Sequence, residues 1–213
     1  GDFSLDNETV ASIIQQNIAL YDKKGENHYD IISAFIKSIR GSDPNAAVYW
    51  LARMIVSGED PLFIARRMLI LASEDIGNAN PNALLLANNC FEAVSKIGYP
   101  ECRIILSQTA VYLATSAKSN STYMAINKAI DLVEKTGDKP VPLHLRNAPT
   151  KLMKDIGYGA DYRYSHDYAN HFVQQQFMPD DLQGLSLYEP ADNRQENNTR
   201  ELLRKLWNGV YKY

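Results

Sequence analysis

Three positions in this sequence combine a helix-capping residue with a proline, and they constrain the fold more than any other feature. Asp43-Pro44, Asp60-Pro61 and Asn80-Pro81 each place a side-chain oxygen directly before a proline. Such an oxygen accepts a hydrogen bond from a free backbone N–H at a helix start, and proline at the first helical position has no N–H to leave unpaired. The pattern predicts helices over 44–57, 60–74 and 80–98, joined by short turns as antiparallel neighbours.

Apolar residues at three- and four-residue spacing extend the helical pattern over most of the chain. They predict further helices over residues 5–21, 29–40, 99–115, 118–135, 150–156 and 194–207. No long strand pattern is found, so we predict an all-α fold.

The character of the chain changes after residue 135. Pro140 and Pro142 lie two residues apart and force extended backbone. The residues that follow are rich in tyrosine and histidine, and residues 180–201 carry many charges. We therefore expect an irregular Pro/Tyr-rich segment and a surface connector over 180–201 before the last helix.

Composition excludes several classes of protein. The chain has 213 residues and a net charge of -3, so it is not a globally basic nucleic-acid binder, although a local basic patch is compatible with that charge. Two cysteines and no secretory leader favour a reducing interior, and we expect Cys90 and Cys102 to be small buried hydrophobes. No apolar run reaches the roughly 20 residues that a membrane span needs, so no membrane role is predicted.

The strongest candidate site is basic and aromatic. Tyr158, Tyr162 and Tyr164 lie close in sequence to four cations, and such a surface can hold single-stranded nucleic acid through phosphate contacts and base stacking. The candidate DNA-binding residues are Arg146, Lys151, Lys154 and Arg163. The alternative is that the tyrosines pack onto the helical core while the cations are solvated.

Two polar clusters in the first half of the chain favour structural roles. Glu74 and Asp75 could form a metal or general-base pair, but a helix end that turns on Gly77 explains them better. Arg66 and Arg67 could hold an anion, although a solvated face or an ion pair with a residue such as Glu74 is the simpler interpretation.

His166, Asp167 and His171 could instead belong to a free-standing enzyme. No Ser or Cys nucleophile has a recognisable signature around it, so hydrogen-bonded structural histidines are the preferred interpretation. We predict no catalytic residue and no metal or cofactor site in this chain.

Five blocks of sequence resemble one known family. They are YDIISAFIKSIRGS (29–42), DPLFIARR (60–67), ASEDIGNA (72–79), VPLHLRNAPTKLMK (141–154) and GYG (157–159). Together they resemble the C-terminal part of the replication-associated recombination protein A family, RarA, also called MgsA, whose eukaryotic relative is the Werner helicase-interacting ATPase. The resemblance covers residues 28–190.

The resemblance implies a region of a AAA+ ATPase related to clamp loaders. Such proteins form homotetramers, act in replication, recombination and repair at stalled forks, and associate with single-stranded-DNA-binding protein. The implied boundaries are the end of the AAA+ lid over 1–25, a helical collar for oligomerisation over 26–190, and a helix and tail over 191–213.

The family's nucleotide-binding core is not matched. No G-x-x-x-x-G-K-[ST] loop occurs in the sequence, so ATP and Mg²⁺ are expected in the full-length parent rather than in this fragment. The implied location is cytoplasmic and nucleoid-associated.

The surface that would join copies is not fixed by the sequence. Tyr49, Trp50 and Phe63 are candidate interface residues, and core packing explains them equally well. The alternative function is a monomeric module that binds nucleic acid or a protein partner.

Overall fold

A computed structural model describes residues 26–213 of the chain, and the helix predicted over 5–21 lies outside them. The described residues form eight α-helices and no strand, which confirms the all-α prediction. The chain divides into two compact units, of which the first ends at Asn120 and the second is Ser121–Tyr213. Among the described helices, none is long and apolar enough to cross a membrane.

The first unit contains five of these helices and one π-helical turn. They are α1 (Glu26–Arg40), α2 (Pro44–Val56), α3 (Pro61–Leu71), the π-helical turn Ala72–Ile76, α4 (Asn82–Ile97) and α5 (Cys102–Thr115). Helix α5 is central, because it packs against each of the other four helices.

The predicted caps of α2 and α3 are confirmed. The Asp43 carboxylate accepts a hydrogen bond from the backbone N–H of Ala46 at 2.9 Å, and that of Asp60 accepts from Leu62, also at 2.9 Å. The third prediction is wrong: Asn80 does not cap α4, which begins at Asn82.

The Asn80 side chain makes tertiary contacts instead. Its Nδ2 atom donates to the Tyr112 hydroxyl at 3.0 Å and to the Ser116 hydroxyl at 3.2 Å. The amide therefore ties the start of α4 to the end of α5, and it is not available to the first turn of its own helix.

The core of the first unit follows from the apolar spacing of its helices. On α1, Ile32, Phe35, Ile36 and Ile39 share one face and are buried. They meet apolar side chains from the neighbouring helices, including Leu51, Ile64, Met68, Leu106 and Leu113. Cys90 and Cys102 are free and buried, as predicted.

The cluster at Glu74 and Asp75 is a structural turn, as predicted. Arg40 Nε donates to Asp75 Oδ1 at 2.6 Å, and Arg40 Nη2 lies 3.6 Å from Glu74 Oε1. The ion-pair partner of Glu74 is thus Arg40, and the suggested pairing of Glu74 with Arg66 or Arg67 is wrong. Arg66 instead lies over the Phe91 ring at 6.0 Å.

The second unit contains the other three helices. They are α6 (Ser121–Thr136), α7 (Lys151–Asp155) and α8 (Arg194–Leu206). Between them the backbone is irregular, with short 3-10 turns at Leu143–Leu145, Ser165–Asp167, Ala169–His171 and Asp180–Leu182. This matches the irregular segment expected after Pro140.

The prediction of a surface connector over 180–201 is wrong at its C-terminal end. Glu196 is fully buried. Its carboxylate accepts hydrogen bonds from the Ser121 hydroxyl, from the Tyr188 hydroxyl at 3.1 Å and from Asn193 Nδ2 at 2.7 Å. The backbone N–H of Glu196 in turn donates to Asn193 Oδ1 at 2.9 Å, so Asn193 caps the start of α8.

Candidate functional site

The four cations proposed for DNA binding divide into two pairs, and Arg146 belongs to the engaged pair. Its Nε donates to the Val141 carbonyl at 2.7 Å, and its Nη1 donates to the Tyr158 hydroxyl at 3.0 Å. The guanidinium also lies 4.9 Å from the centre of the Tyr158 ring. Arg146 and Tyr158 therefore hold the irregular backbone together. Two of the three guanidinium nitrogens of Arg146 are already hydrogen-bonded within the chain.

Arg163 is engaged mainly through its backbone. Its N–H donates to Gln175 Oε1 at 3.2 Å, and Gln175 Nε2 donates to the Arg163 carbonyl at 2.7 Å. The buried Gln175 amide thus pairs with Arg163 as a neighbouring strand would. The Arg163 side chain is exposed, and one of its nitrogens, Nη2, donates to the Gln174 carbonyl.

Lys151 and Lys154 form the available pair. Both side chains are exposed, and neither has a hydrogen-bond or ion-pair partner within 26–213. They lie three residues apart on α7, so they share one side of the helix. Thr150 caps this helix by accepting from the Met153 N–H at 3.3 Å. The local sequence thus presents two ammonium groups to solvent on an ordered turn.

A row of contacting aromatic rings follows Arg163. The Tyr164 and His166 ring centres are 5.1 Å apart, and those of His166 and His171 are 4.9 Å apart. All three side chains are exposed. The prediction of hydrogen-bonded structural histidines is therefore wrong, since across the described residues these rings contact other rings and make no hydrogen bond.

An open cleft of about 410 Å³ lies beside this segment. Its lining residues are Leu143, His144, Gly157, Ala160, Asp161, Arg163, Gln175 and Gln176. His144 is fixed on one wall by a 2.7 Å hydrogen bond between its Nε2 and the Gln176 carbonyl. Neither His166 nor His171 lines the cleft, so the histidines of the enzyme hypothesis do not converge in it.

The second candidate surface is a stripe of apolar side chains on α6. Tyr123, Ile126, Ile130 and Val133 are 43%, 56%, 48% and 55% exposed. Their spacing of three, four and three residues places them on one side of the helix. We call these four residues the α6 stripe.

Sequence reasoning missed the α6 stripe, although its periodicity was visible, because burial cannot be read from spacing alone. Of the residues that it named as interface candidates, Trp50 and Phe63 are partly buried and pack against the core of the first unit. Tyr49 is exposed and contacts Trp50 edge-on.

Comparison with known sequences places this helical chain in a class. Residues 1–40 match the family model described as "AAA C-terminal domain". Residues 1–40 are thus similar to the C-terminal domain of AAA proteins. Residues 41–207 match the family model described as "MgsA AAA+ ATPase C terminal". The chain therefore belongs to the MgsA AAA+ ATPase C-terminal family, as the sequence blocks indicated.

Three relatives illustrate the similarity. The chain is 45% identical over 210 residues to replication-associated recombination protein A of Coxiella burnetii, covering 97% of this chain and 48% of that protein. It is 43% identical over 200 residues to the protein of that name in Escherichia coli K12, covering 93% and 45%. It is 47% identical over 189 residues to ATPase WRNIP1 of Dictyostelium discoideum, covering 88% and 22%. The chain thus spans about half the length of the bacterial relatives, and less of the third.

Proposed function

We propose that this chain joins copies of a AAA+ ATPase and contributes to its DNA contacts. The whole protein would act in DNA replication, recombination and repair at stalled forks. The family membership and the names of the relatives support this role. ATP and Mg²⁺ are assigned to the whole protein, because the G-x-x-x-x-G-K-[ST] loop does not occur in these residues.

The observation that carries the assembly function is the α6 stripe. Four apolar side chains about half exposed at three- and four-residue spacing match the seam through which two helices pack. An exposed apolar face of this kind is typical of a protein–protein contact. We propose that the stripe packs against the same helix of a second copy, within a closed homotetramer.

The test is the oligomeric state in solution. We expect an oligomer at micromolar concentration by size-exclusion chromatography with light scattering. The double substitution Ile126→Glu with Ile130→Glu should reduce its mass, because four charges, two from each copy, would be desolvated at each contact. Lys135→Glu, an exposed change on the same helix outside the stripe, is the control.

Circular dichroism should show that all variants remain helical. A clean monomer at high concentration would contradict the proposed assembly. An oligomer of unchanged mass after the double substitution would show that another surface joins the copies.

The second function, DNA contact, is favoured by the exposure of Lys151 and Lys154. Two exposed ammonium groups on one side of α7 can contact successive phosphates of single-stranded or fork DNA. Arg163 can add a third contact, whereas Arg146 is held by Val141 and Tyr158. Several copies in one assembly would multiply weak contacts.

This contact is tested by the salt dependence of binding to single-stranded DNA. Replacing Lys151 and Lys154 by glutamate should weaken binding and flatten the slope of log K against log[salt] by about 1.4, at about 0.7 per phosphate contact. Lys205→Glu, an exposed change on α8, is the control. If the unsubstituted chain does not bind single-stranded DNA at low salt, this chain has no DNA role. Salt-dependent binding by a monomer would support the alternative of a monomeric module.

The remaining proposals rest on the family resemblance. They are an association of the whole protein with single-stranded-DNA-binding protein, a cytoplasmic, nucleoid-associated location, and the division of the chain at residues 25 and 190. Co-purification of the full-length protein with single-stranded-DNA-binding protein tests the first of them.

A further inference from the structure

We propose that Tyr164, His166 and His171 form a stacking platform for the bases of single-stranded DNA. We call these three residues the ring row. The proposal rests on the DNA contact described above and goes beyond it, because it assigns to these rings the recognition of bases rather than of phosphates.

The geometry of the ring row suits unpaired bases. Its rings follow one another at centre-to-centre steps of 5.1 and 4.9 Å, with interplanar angles of 45° and 50°. Tyr164 is 55% exposed, so this residue is accessible from solvent at one end of the row. Every base has a π-face, so such a surface accepts a single strand with little regard to sequence.

The ring row is held in place at both ends. Before it, the backbone of Arg163 is paired with the buried Gln175 amide. After it, Phe172 packs edge-on against Trp207 with ring centres 5.4 Å apart. Asn170 and His171 have φ angles of 56° and 53°, which is left-handed backbone. Both belong to the 3-10 turn Ala169–His171, and the His171 ring contacts that of His166. Because the rings are already ordered, little freedom would be lost when a base binds.

The charge around the ring row also points to stacking. Asp161 and Asp167 are exposed in the same stretch and oppose the attraction that Arg163 offers to phosphate. A purely electrostatic groove would not place two acids here. Binding at this segment must therefore depend on the π-faces, with the main phosphate contacts supplied by Lys151 and Lys154.

The experiment compares oligothymidylate with an abasic oligomer of the same length, by fluorescence anisotropy at low salt. The unsubstituted chain should bind oligothymidylate more tightly than it binds the abasic oligomer. Tyr164→Ala and His166→Ala should each weaken binding to oligothymidylate by about fivefold or more, as expected for a lost stacking partner. Neither change should alter the salt slope or the affinity for the abasic oligomer.

Two variants serve as controls. Tyr164→Phe keeps the ring and should bind as the parent chain does. Tyr162→Ala removes a tyrosine that is 46% exposed and makes no ring contact in the part of the chain that the structure describes, so it should have little effect.

The outcomes separate the two proposals. Binding that falls with the lysine substitutions but is the same for both oligomers and insensitive to Tyr164→Ala would overturn the platform and leave the phosphate contact standing. No binding of either oligomer by the parent chain would overturn both. Loss of binding with Tyr164→Phe as well would show that the hydroxyl rather than the ring face matters, and this result too would overturn the platform.

Discussion

Replacing Glu196 with alanine should destabilise the second unit more than any change at an exposed position of α8. The Glu196 carboxylate is fully buried and accepts hydrogen bonds from Ser121, Tyr188 and Asn193. These donors come from the start of α6, from the segment before α8 and from the cap of α8. The carboxylate therefore ties the start of α6 to the start of α8 and to the segment just before it.

The magnitude follows from the number of donors that lose their acceptor. A hydrogen bond to a charged group contributes about 1.5–3 kcal/mol. The hydroxyls of Ser121 and Tyr188 can rotate toward other acceptors after the change, so the three contributions will not add fully. We expect Glu196→Ala to lower the free energy of unfolding by about 3–5 kcal/mol, because each of three donors that loses its acceptor costs about 1–3 kcal/mol and the three costs do not add fully.

Glu196→Gln separates charge from shape. The amide keeps one acceptor oxygen. Its NH₂ group, however, replaces the second oxygen, so one donor that now has an acceptor would face another donor. We expect a loss of about 1–3 kcal/mol. Ser121→Ala removes a single donor to the carboxylate and should cost about 1.5–3 kcal/mol.

The assay can be confined to the second unit because the chain has two tryptophans, one in each unit. With Trp50→Phe as the background, fluorescence reports only Trp207, which lies directly after α8 and contacts Phe172 and Tyr211. Urea unfolding followed in this way gives the midpoint for each variant. Glu201→Ala, an exposed glutamate on the same helix, is the matched control. Equal destabilisation by Glu196→Ala and Glu201→Ala would refute the reasoning.

Three further predictions concern the first unit. Phe35→Ala should lower its unfolding free energy by about 3–5 kcal/mol, because a fully buried ring leaves a cavity; a change below 1 kcal/mol in urea unfolding would contradict its place in the core. Asp43→Ala should cost about 1 kcal/mol through the lost cap of α2, whereas exposed Asp30→Ala should cost much less in the same assay. Burial, with nearby negative charge, raises the pKa of Tyr99 from 10.0 to about 12. Tyr99 therefore ionises at lower pH in the unfolded chain than in the folded chain, and the stability that it contributes falls between pH 10 and pH 12. Tyr99→Phe should therefore lose less stability than the parent chain from pH 10 to pH 12, and parallel urea midpoints would refute this.

The helical order could be predicted from sequence because its signals are local. Asp43 and Asp60 cap the helices next to them, and the apolar face of α1 appears in its spacing. Asn80 has the same local signal, but its amide bonds to Tyr112 and Ser116, which are far along the chain. At the π-helical turn Ala72–Ile76, the Gly77 N–H donates to the Ala72 carbonyl five residues earlier, and no residue type in this stretch predicts that spacing.

The sequence identifies the basic residues of the candidate site, but it does not show which of them are free to contact a ligand. Lys151 and Lys154 lie on one side of α7, as their spacing of three residues predicts, and both are exposed. Arg146 is taken up by a carbonyl and a tyrosine, and such contacts depend on how irregular backbone folds back on itself. The burial of Glu196 had a local signal, since Asn193 and Glu196 have the spacing of a capping box, but the charge of the surrounding residues suggested a surface instead.

The boundary between the two matched family regions, at residues 40 and 41, does not divide the packing. Ile32, Phe35, Ile36 and Ile39 come from α1, before that boundary, yet they are buried against helices that come after it. A chain cut at residue 41 would be left with an apolar trough where α1 belongs. In the intact protein, any displacement of α1 must carry its packed neighbours along, because sliding them apart would open the core to water. Helix α1 is thus coupled to the helices that follow it through the apolar face that it buries against them.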